Sequence, residues 1–323
     1  MLDVRRLRIL QHLAAYGTVA ATAEALHLTP PAVSQHLAAL QREAGMPVVE
    51  KHGRTLRLTA AGELLVAHAE IILAELAAAE SGLASLQSGR RGVVRITAFA
   101  SAARALVAPL WQRLADADGD AGADARADAT PALSLRLSVQ EPGEALDELR
   151  KRSTDLALVH SYTVLPRSFP AACEQAVLME EPVLLALHAH QAAALGLAAG
   201  QPADLSRTAQ LPWLTPGPET SCYEMIQRAC GAAGFVPDIR TRSSDFAVLT
   251  ALVAAGAGAA LIPRMALPDT TGPVSLHPLV HPVSRTIFTV CRAGTGKHPD
   301  LRRVLDLLHD PAKAPGHATA LRS

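Results

Sequence analysis

The residues best suited to chemistry by type and spacing lie near the N-terminus. Thr29-Pro30-Pro31 precedes Val33, Leu37 and Leu40 at helical spacing, which leaves Ser34 and Gln35 on the opposite, exposed face. Thr29 is a good N-cap, and proline is tolerated at the first helical positions, where its missing N–H costs little. Such a helix fits the major groove of B-DNA with its N-terminal residues at the base edges. Gln35 can make a bidentate contact to adenine N6/N7, and Ser34 can donate or accept. Pro30 and Pro31 offer apolar contact to a thymine methyl. Thr18 and Thr29, at helix starts, suit phosphate, and the same hydroxyls also serve as plain caps. Arg54, beside Gly53, is the expected probe of the backbone or the minor groove. Phosphate contacts position a protein on DNA and the few base contacts specify the sequence. His36, next to the reading face, is expected to be structural.

A second group of candidates lies further along the chain. Phe99-Ala100-Ser101 follows a short apolar strand pattern, and Thr220-Ser221 opens an amphipathic helix pattern. Helix N-termini attract anions through free N–H groups and the helix dipole. Ser101, Thr220 and Ser221 are therefore candidates for a carboxylate, with ordinary N-capping as the alternative. His160 and Ser161 follow the apolar run 156–159, where a strand would open toward a cleft. Ser244, Asp245 and Phe246 begin another helix, and Phe246 could wall a pocket. A small organic anion or an amino-acid-like effector suits these groups.

Catalytic signatures are missing from the sequence. There is no GxSxG, no HExxH and no phosphate loop; Gly294-Thr295-Gly296-Lys297 lacks the upstream glycine, since that position is Cys291. Gly256-Ala-Gly-Ala-Ala-Leu261 lacks a third glycine and precedes a strand, so it is not a dinucleotide fingerprint. The 13 histidines are scattered. His188 and His190 would point to one side of a strand but lack a third ligand. No catalytic residue, metal or cofactor is expected, and neither is an enzyme.

The elements that must position these groups follow from the pattern. The 323 residues are 49% hydrophobic and 19% charged, enough for a sizeable core, while aromatics at 3% leave Ala, Leu and Val to fill it. Formal charge is zero, which by itself argues against nucleic acid. The distribution reverses that argument: residues 1–59 carry seven Lys/Arg against four acids, and residues 60–89 carry four Glu and no cation. Four cysteines (Cys173, Cys222, Cys230, Cys291) show no CxxC pair and suit a reducing cytoplasm. The N-terminus runs directly into a charged amphipathic segment, so no signal peptide is expected. The most apolar stretch, 248–263, is too short to span a bilayer.

Residues 1–59 are expected to form a small head. Leu7, Ile9, Leu10 and Leu13 make a stripe on a first helix ended by Gly17; Thr18 starts a second helix, packed through Ala21, Ala25 and Leu26; the Pro-capped helix ends at Gly45. A hairpin spans 48–58. Residues 60–89 are expected to be a linker helix on which Leu65, Ala69, Ile72, Leu76, Ala79, Leu83 and Leu86 recur as a coiled-coil seam between two copies, against the alternative of a helix packed on its own domain. Gly89-Arg90-Arg91-Gly92 is a hinge. Beyond it, candidate strands at 93–98, 133–139, 155–160, 182–188, 239–242, 259–262 and 285–291 alternate with helices at 102–115, 142–152, 221–233, 244–256 and 299–308, an α/β pattern. The acidic, low-complexity run 116–130 is expected to be a surface insertion, and 311–323 a disordered tail.

The run 7–62 resembles the LysR-type regulator family, through AATAEALHLTPPAVSQHLAALQREAG at 20–45 and GRTLRLTAAGELL at 53–65. DLALVH at 155–160 and GAGAALIP at 256–263 are similar to that family's sensor. Pro30 stands where Gln is usual and Gln35 where Arg is frequent, so no operator carries over. The resemblance implies a winged helix-turn-helix head, a long linker helix and a two-lobed sensor of periplasmic-binding-protein type at 93–310. Lobe I would hold about 93–161 and 265–310, and lobe II about 162–264. The implied partners are double-stranded DNA, a small-molecule effector bound between the lobes, a second copy in a homodimer or homotetramer and, at a promoter, RNA polymerase. The competing expectation is an α/β solute-binding module whose helical head does not touch DNA.

Overall fold

The computed structural model describes residues 1–52, 55–88, 92–119, 133–170 and 173–310. The head begins with α1 (Val4–Tyr16), capped by the Asp3 side chain on the Arg5 amide and ended by Gly17 in the left-handed region at φ 75°. Then come α2 (Val19–Ala25) and α3 (Pro30–Ala44), the latter ended by Gly45 at φ 71°. Strands β1 (Val49–His52) and β2 (Thr55–Leu58) pair antiparallel. Leu7, Ile9, Leu10, Leu13, Val33, Leu37, Leu40 and Val48 form one apolar core. The fully buried residues of α2 are Thr22 and Ala23; of the expected Ala21, Ala25 and Leu26, all partly buried, Leu26 packs on the head core. Arg6 and Glu43 pair across the head.

The linker helix α4 runs Ala60–Ser88, 29 residues, or about 44 Å at 1.5 Å per residue. Its start is sharply defined. The Thr59 hydroxyl donates to Pro47 O at 2.8 Å and accepts from the Gly62 amide at 3.1 Å. A Cβ on Gly62 would stand 2.1 Å from Val48 O, so only glycine lets α4 press against the wing. The expected seam needs correction at its first two positions. Ala69 is fully buried and Leu65 partly buried, both in the head core, joined there by Leu73. The first turns of α4 are consumed by packing on α1, and the outward face begins at Ile72 and Leu76, 43% and 39% exposed. The side chains of Leu83 and Leu86 lie outside the described residues.

The second part is an α/β domain in two halves. In the first, β3 (Val93–Ala98) leads into α5 (Ala100–Ala102), a π turn (Ala103–Val107) and α6 (Ala108–Gly119). After β4 (Ser134–Val139), α7 (Pro142–Arg150) and β5 (Leu156–Tyr162), β6 runs 16 residues, Cys173–His188. The second half holds α8 (Ala189–Ala194), β7 (Pro212–Thr215), α9 (Ser221–Ala232), β8 (Asp238–Arg242), α10 (Phe246–Ala254), β9 (Ala260–Pro263) and β10 (Val274–His277). The chain returns through β11 (Ser284–Arg292) and ends in α11 (Pro299–Leu308). β3 pairs parallel with β4 and β5, and β11 pairs antiparallel with β5 and β6.

β6 joins the halves. Residues 173–182 pair with β11 in the first sheet, and residues 183–188 pair with β9 and β10 in the second. The expected lobe changes at 162 and 265 therefore move: 173–182 still belongs to the first sheet, and β10, at 274–277, still belongs to the second. Each half has its own core, one around Ile96, Leu110, Leu156, Leu158 and Ile287, the other around Trp213, Leu185, Met225, Ile226 and Leu261. Strands β7 and β10, helix α8 and the first half of β6 were not among the expected elements. Of the expected insertion at 116–130, residues 116–119 belong to α6; the rest of it, the hinge glycine and arginines 89–91 and the tail 311–323 lie outside the described residues.

Candidate DNA interface and ligand cleft

In the head, α3 presents Pro30, Pro31, Ser34 and Gln35 on an exposed face while Val33, Leu37 and Leu40 hold its back in the core. The Ser34 hydroxyl donates to Pro30 O at 3.1 Å, leaving its lone pairs outward. Thr18 and Thr29 accept from Ala21 and Ala32 amides at 3.2 and 3.4 Å and cap α2 and α3. Both threonines are also exposed. Arg54, between β1 and β2 in the sequence, lies outside the described residues.

In the α/β domain, the halves meet around His160. This ring is buried and packs edge-on against Phe99 and Tyr162, with centroids 4.5 and 5.1 Å away. Its Nε2 lies 2.9 Å from the Ser221 hydroxyl at the start of α9. Ser221 also meets Glu141, from the loop before α7, whose Oε2 accepts from the Ser221 amide at 3.4 Å and its hydroxyl at 3.3 Å. A hydrogen-bonded chain thus crosses from one half to the other. Burial, then Arg285 and Arg167, hold the His160 pKa well below its usual value, so the ring is neutral. Burial pushes the Glu141 carboxyl up, only partly opposed by the bonds from Ser221.

Beneath this chain sits a buried ion pair. Arg285 Nε donates to Glu181 Oε1 at 2.7 Å, both side chains being about 2–3% exposed. Arg285 Nη2 donates to Ser101 Oγ at 3.0 Å, and the guanidinium lies 4.9 Å from the Phe99 ring centre. The second Glu181 oxygen accepts the Met265 amide at 2.5 Å. Arg285 is in register with both Tyr162 and Glu181, so one row across β5, β11 and β6 carries the pair.

The sequence candidates separate on this geometry. Phe99, Ser101, His160 and Ser221 come together; Ala100 is exposed beside them. Ser161 follows His160 on β5, opposite Thr286, and so faces the other side of the sheet. Thr220 is spent on capping: its hydroxyl donates to Gly217 O at 2.8 Å and accepts from the Tyr223 amide at 3.2 Å. Asp245 caps α10 through the Ala247 amide at 2.8 Å, and Ser244 donates to Glu219 at 3.3 Å. Phe246 packs between two apolar cores of the second half. His188 and His190 do not share a strand face: His188 caps α8, its Nδ1 accepting the His190 amide at 3.1 Å. Glu141, Glu181, Arg167 and Arg285 escaped the sequence reading. Their one signal was Arg285 at the start of an expected strand; Glu181 lies just before the expected strand 182–188.

A helical head with an exposed, proline-capped helix and a wing, followed by a long helix and a two-halved α/β domain with a polar cleft, defines a ligand-responsive DNA-binding protein. Family comparison is specific. Residues 4–63 match the bacterial regulatory helix-turn-helix protein, lysR family, and residues 87–313 match the LysR substrate binding domain. The chain belongs to the LysR family of transcription regulators. It is similar to the regulator BudR of Raoultella terrigena (26% identity, 95% of this chain and 100% of BudR). It is also similar to a probable hydrogen peroxide-inducible genes activator of Streptomyces viridosporus (29%, 82% and 81%). Among solved structures, full-length LysG of Corynebacterium glutamicum with bound effector Arg shares the fold (TM-score 0.61, 19% identity, 96% of this chain and 97% of LysG). The chain is thus a transcription regulator with a DNA-binding head and an effector-binding domain. No described helix is long and apolar enough to cross a membrane.

Proposed function

We propose that this regulator reads its operator through Pro30, Pro31, Ser34 and Gln35 of α3, with Thr18, Thr29 and Arg54 on phosphates or the minor groove. Its working parts are the head to residue 59, the linker helix to 89 and the two-lobed sensor to 310. Two copies join through Ile72, Leu76, Leu83 and Leu86 of α4, and pairs of dimers can form tetramers. A small effector, an organic anion or an amino-acid-like molecule as arginine is for LysG, binds where Phe99, Ser101, His160 and Ser221 converge. Binding shifts the lobes between alternative placements and so shifts the heads on DNA. The protein acts in the cytoplasm and catalyses no reaction.

The observation that carries this reading is the exposed face of α3 on a fully packed head. A salt-titrated footprint on the gene's own upstream region and on a genomic fragment library tests it, comparing wild type with Gln35→Ala and Arg54→Ala. The expected result is a site of dimeric length whose sequence preference relaxes with Gln35→Ala by about 5- to 150-fold at one base pair, the discrimination of one bidentate contact. Arg54→Ala should weaken all sites alike. Absence of binding across the library would favour the solute-binding module instead.

A further inference from the structure

Glu141 occupies the place an incoming anion would take. It belongs to the first lobe, yet its direct partners are the amide and hydroxyl of Ser221, in the first turn of the 12-residue helix α9 of the other lobe. Those are the groups a ligand carboxylate would use. The seat is built from buried parts. His160, 3% exposed, aligns the Ser221 hydroxyl through Nε2, and its Nδ1 is buried with no hydrogen-bond partner. The Tyr162 hydroxyl is likewise buried, against Cys222 of the same turn and the Arg285 guanidinium. Among the described residues Glu141 forms no ion pair: Arg167 and Arg285 attract it only at longer range, the Arg285 charge being committed to Glu181 and Arg167 donating to the His160 carbonyl at 3.1 Å.

A ligand with a carboxylate alone would take the seat but leave Glu141 charged and unpartnered in a cleft that already disfavours its charge. A ligand with an amine alone would satisfy Glu141 but find nothing further to bind. We propose that Glu141 is a placeholder and the specificity-determining residue of the cleft, and that the effector is a small zwitterion of amino-acid type. Its carboxylate takes the Ser221 seat, and its ammonium pairs with the displaced Glu141. This assignment rests on the effector-cleft reading above.

The test is calorimetric titration of the full-length protein with the twenty standard amino acids. For each that binds, the matching des-amino acid and decarboxylated amine follow. At least one amino acid should bind once per chain, with both truncated analogues at least about tenfold weaker. Glu141→Gln should weaken the amino acid by at least about tenfold while leaving the des-amino acid no weaker than on wild type. Silence toward all twenty, or a des-amino acid binding wild type as tightly as its parent, overturns the zwitterion. So does affinity unchanged in Glu141→Gln when Ser221→Ala lowers it, an outcome that leaves the cleft reading standing. Binding indifferent to both substitutions removes the cleft reading itself. Should Glu141→Gln fail to fold, the analogue series on wild type decides alone.

Discussion

Glu181→Ala should be among the most damaging single substitutions in the sensor. Arg285 is 2% exposed, donates Nε to one Glu181 oxygen and holds Nη2 against the same oxygen as an ion pair, while the other oxygen takes the Met265 amide. Deleting the carboxylate strands a buried guanidinium and a buried N–H. Breaking a buried pair from one side costs about 3–5 kcal/mol. Ser101 and the face of Phe99 would remain to Arg285, which places the estimate toward the lower end, about 3 kcal/mol. Removing both partners, as Glu181→Gln with Arg285→Met, should recover most of that, because an apolar or neutral replacement avoids the cost of desolvating two charges. Urea unfolding followed by Trp213 fluorescence suits the measurement, in a Trp111→Phe background, since Trp213 is fully buried and Trp111 is 46% exposed. At a slope near 3 kcal/mol per molar urea, the single variant should lower the midpoint by about 1 M. A loss under about 1 kcal/mol, or a Glu181→Gln/Arg285→Met double variant equal to the sum of the Glu181→Gln and Arg285→Met singles, would show that the pair is solvated and refute the account.

Gly62→Ala should destabilise the head by about 1–3 kcal/mol, because the added methyl meets the Val48 carbonyl; thermal melting and DNA affinity should fall together. Leu73→Ala should cost about 2–5 kcal/mol as a core truncation. Ile72→Ala, one residue earlier but outward, should change monomer stability by under about 0.5 kcal/mol and instead weaken self-association measured by sedimentation. For His160 the sign follows from its depressed pKa: the unfolded ring takes a proton below about pH 6.5 that the folded ring refuses. Its contribution is full above that pH and falls by up to about 1.4 kcal/mol per pH unit below it. Glu141 and Glu70, with raised pKa values, act in the opposite sense just above 4.5. The quantity to measure is therefore the stability difference between wild type and His160→Gln from pH 7 to 5, and a difference independent of pH would refute the buried neutral ring.

The head was legible in sequence because its determinants are local: Thr caps, prolines at a helix start, glycines in the left-handed region and an apolar stripe all act within a few residues. α4 was legible as a helix but not in its allegiance. A 4,3,4,3 spacing specifies a face, and either α1 or a second copy can cover it; in the structure α1 takes Leu65 and Ala69 and leaves Ile72 outward. β6 defeated the pattern because it changes sheets at Pro182, so its faces change partners midway. In the cleft, Ser221 and His160 were visible as a helix start and a strand end. Glu141, Glu181 and Arg285 were not, since residues 104 positions apart meet only through the register of β11 on β6.

That same strand bears on how the cleft reaches the head. β11 begins with Ser284 and Arg285, at the buried pair under the cleft, and ends at Arg292, just before the turn 295–297. Lys297 in that turn lies 3.4 Å from Glu75 of α4. From Arg285 to Arg292 the strand spans about 23 Å at 3.3 Å per residue. α4 meets the first lobe at this turn, so a motion of the second lobe reaches it through β6 and β11, or through the other copy. The Lys297–Glu75 pair is 75% and 51% exposed and so should contribute little to stability. Lys297→Glu should then leave melting and effector affinity unchanged while altering the effector's effect on DNA binding, by reversing attraction at the turn. Equal coupling in wild type and Lys297→Glu would exclude this contact as a route and leave the path through Glu70 of α4, which faces Arg152 and Arg292 of the first lobe, or through the second copy.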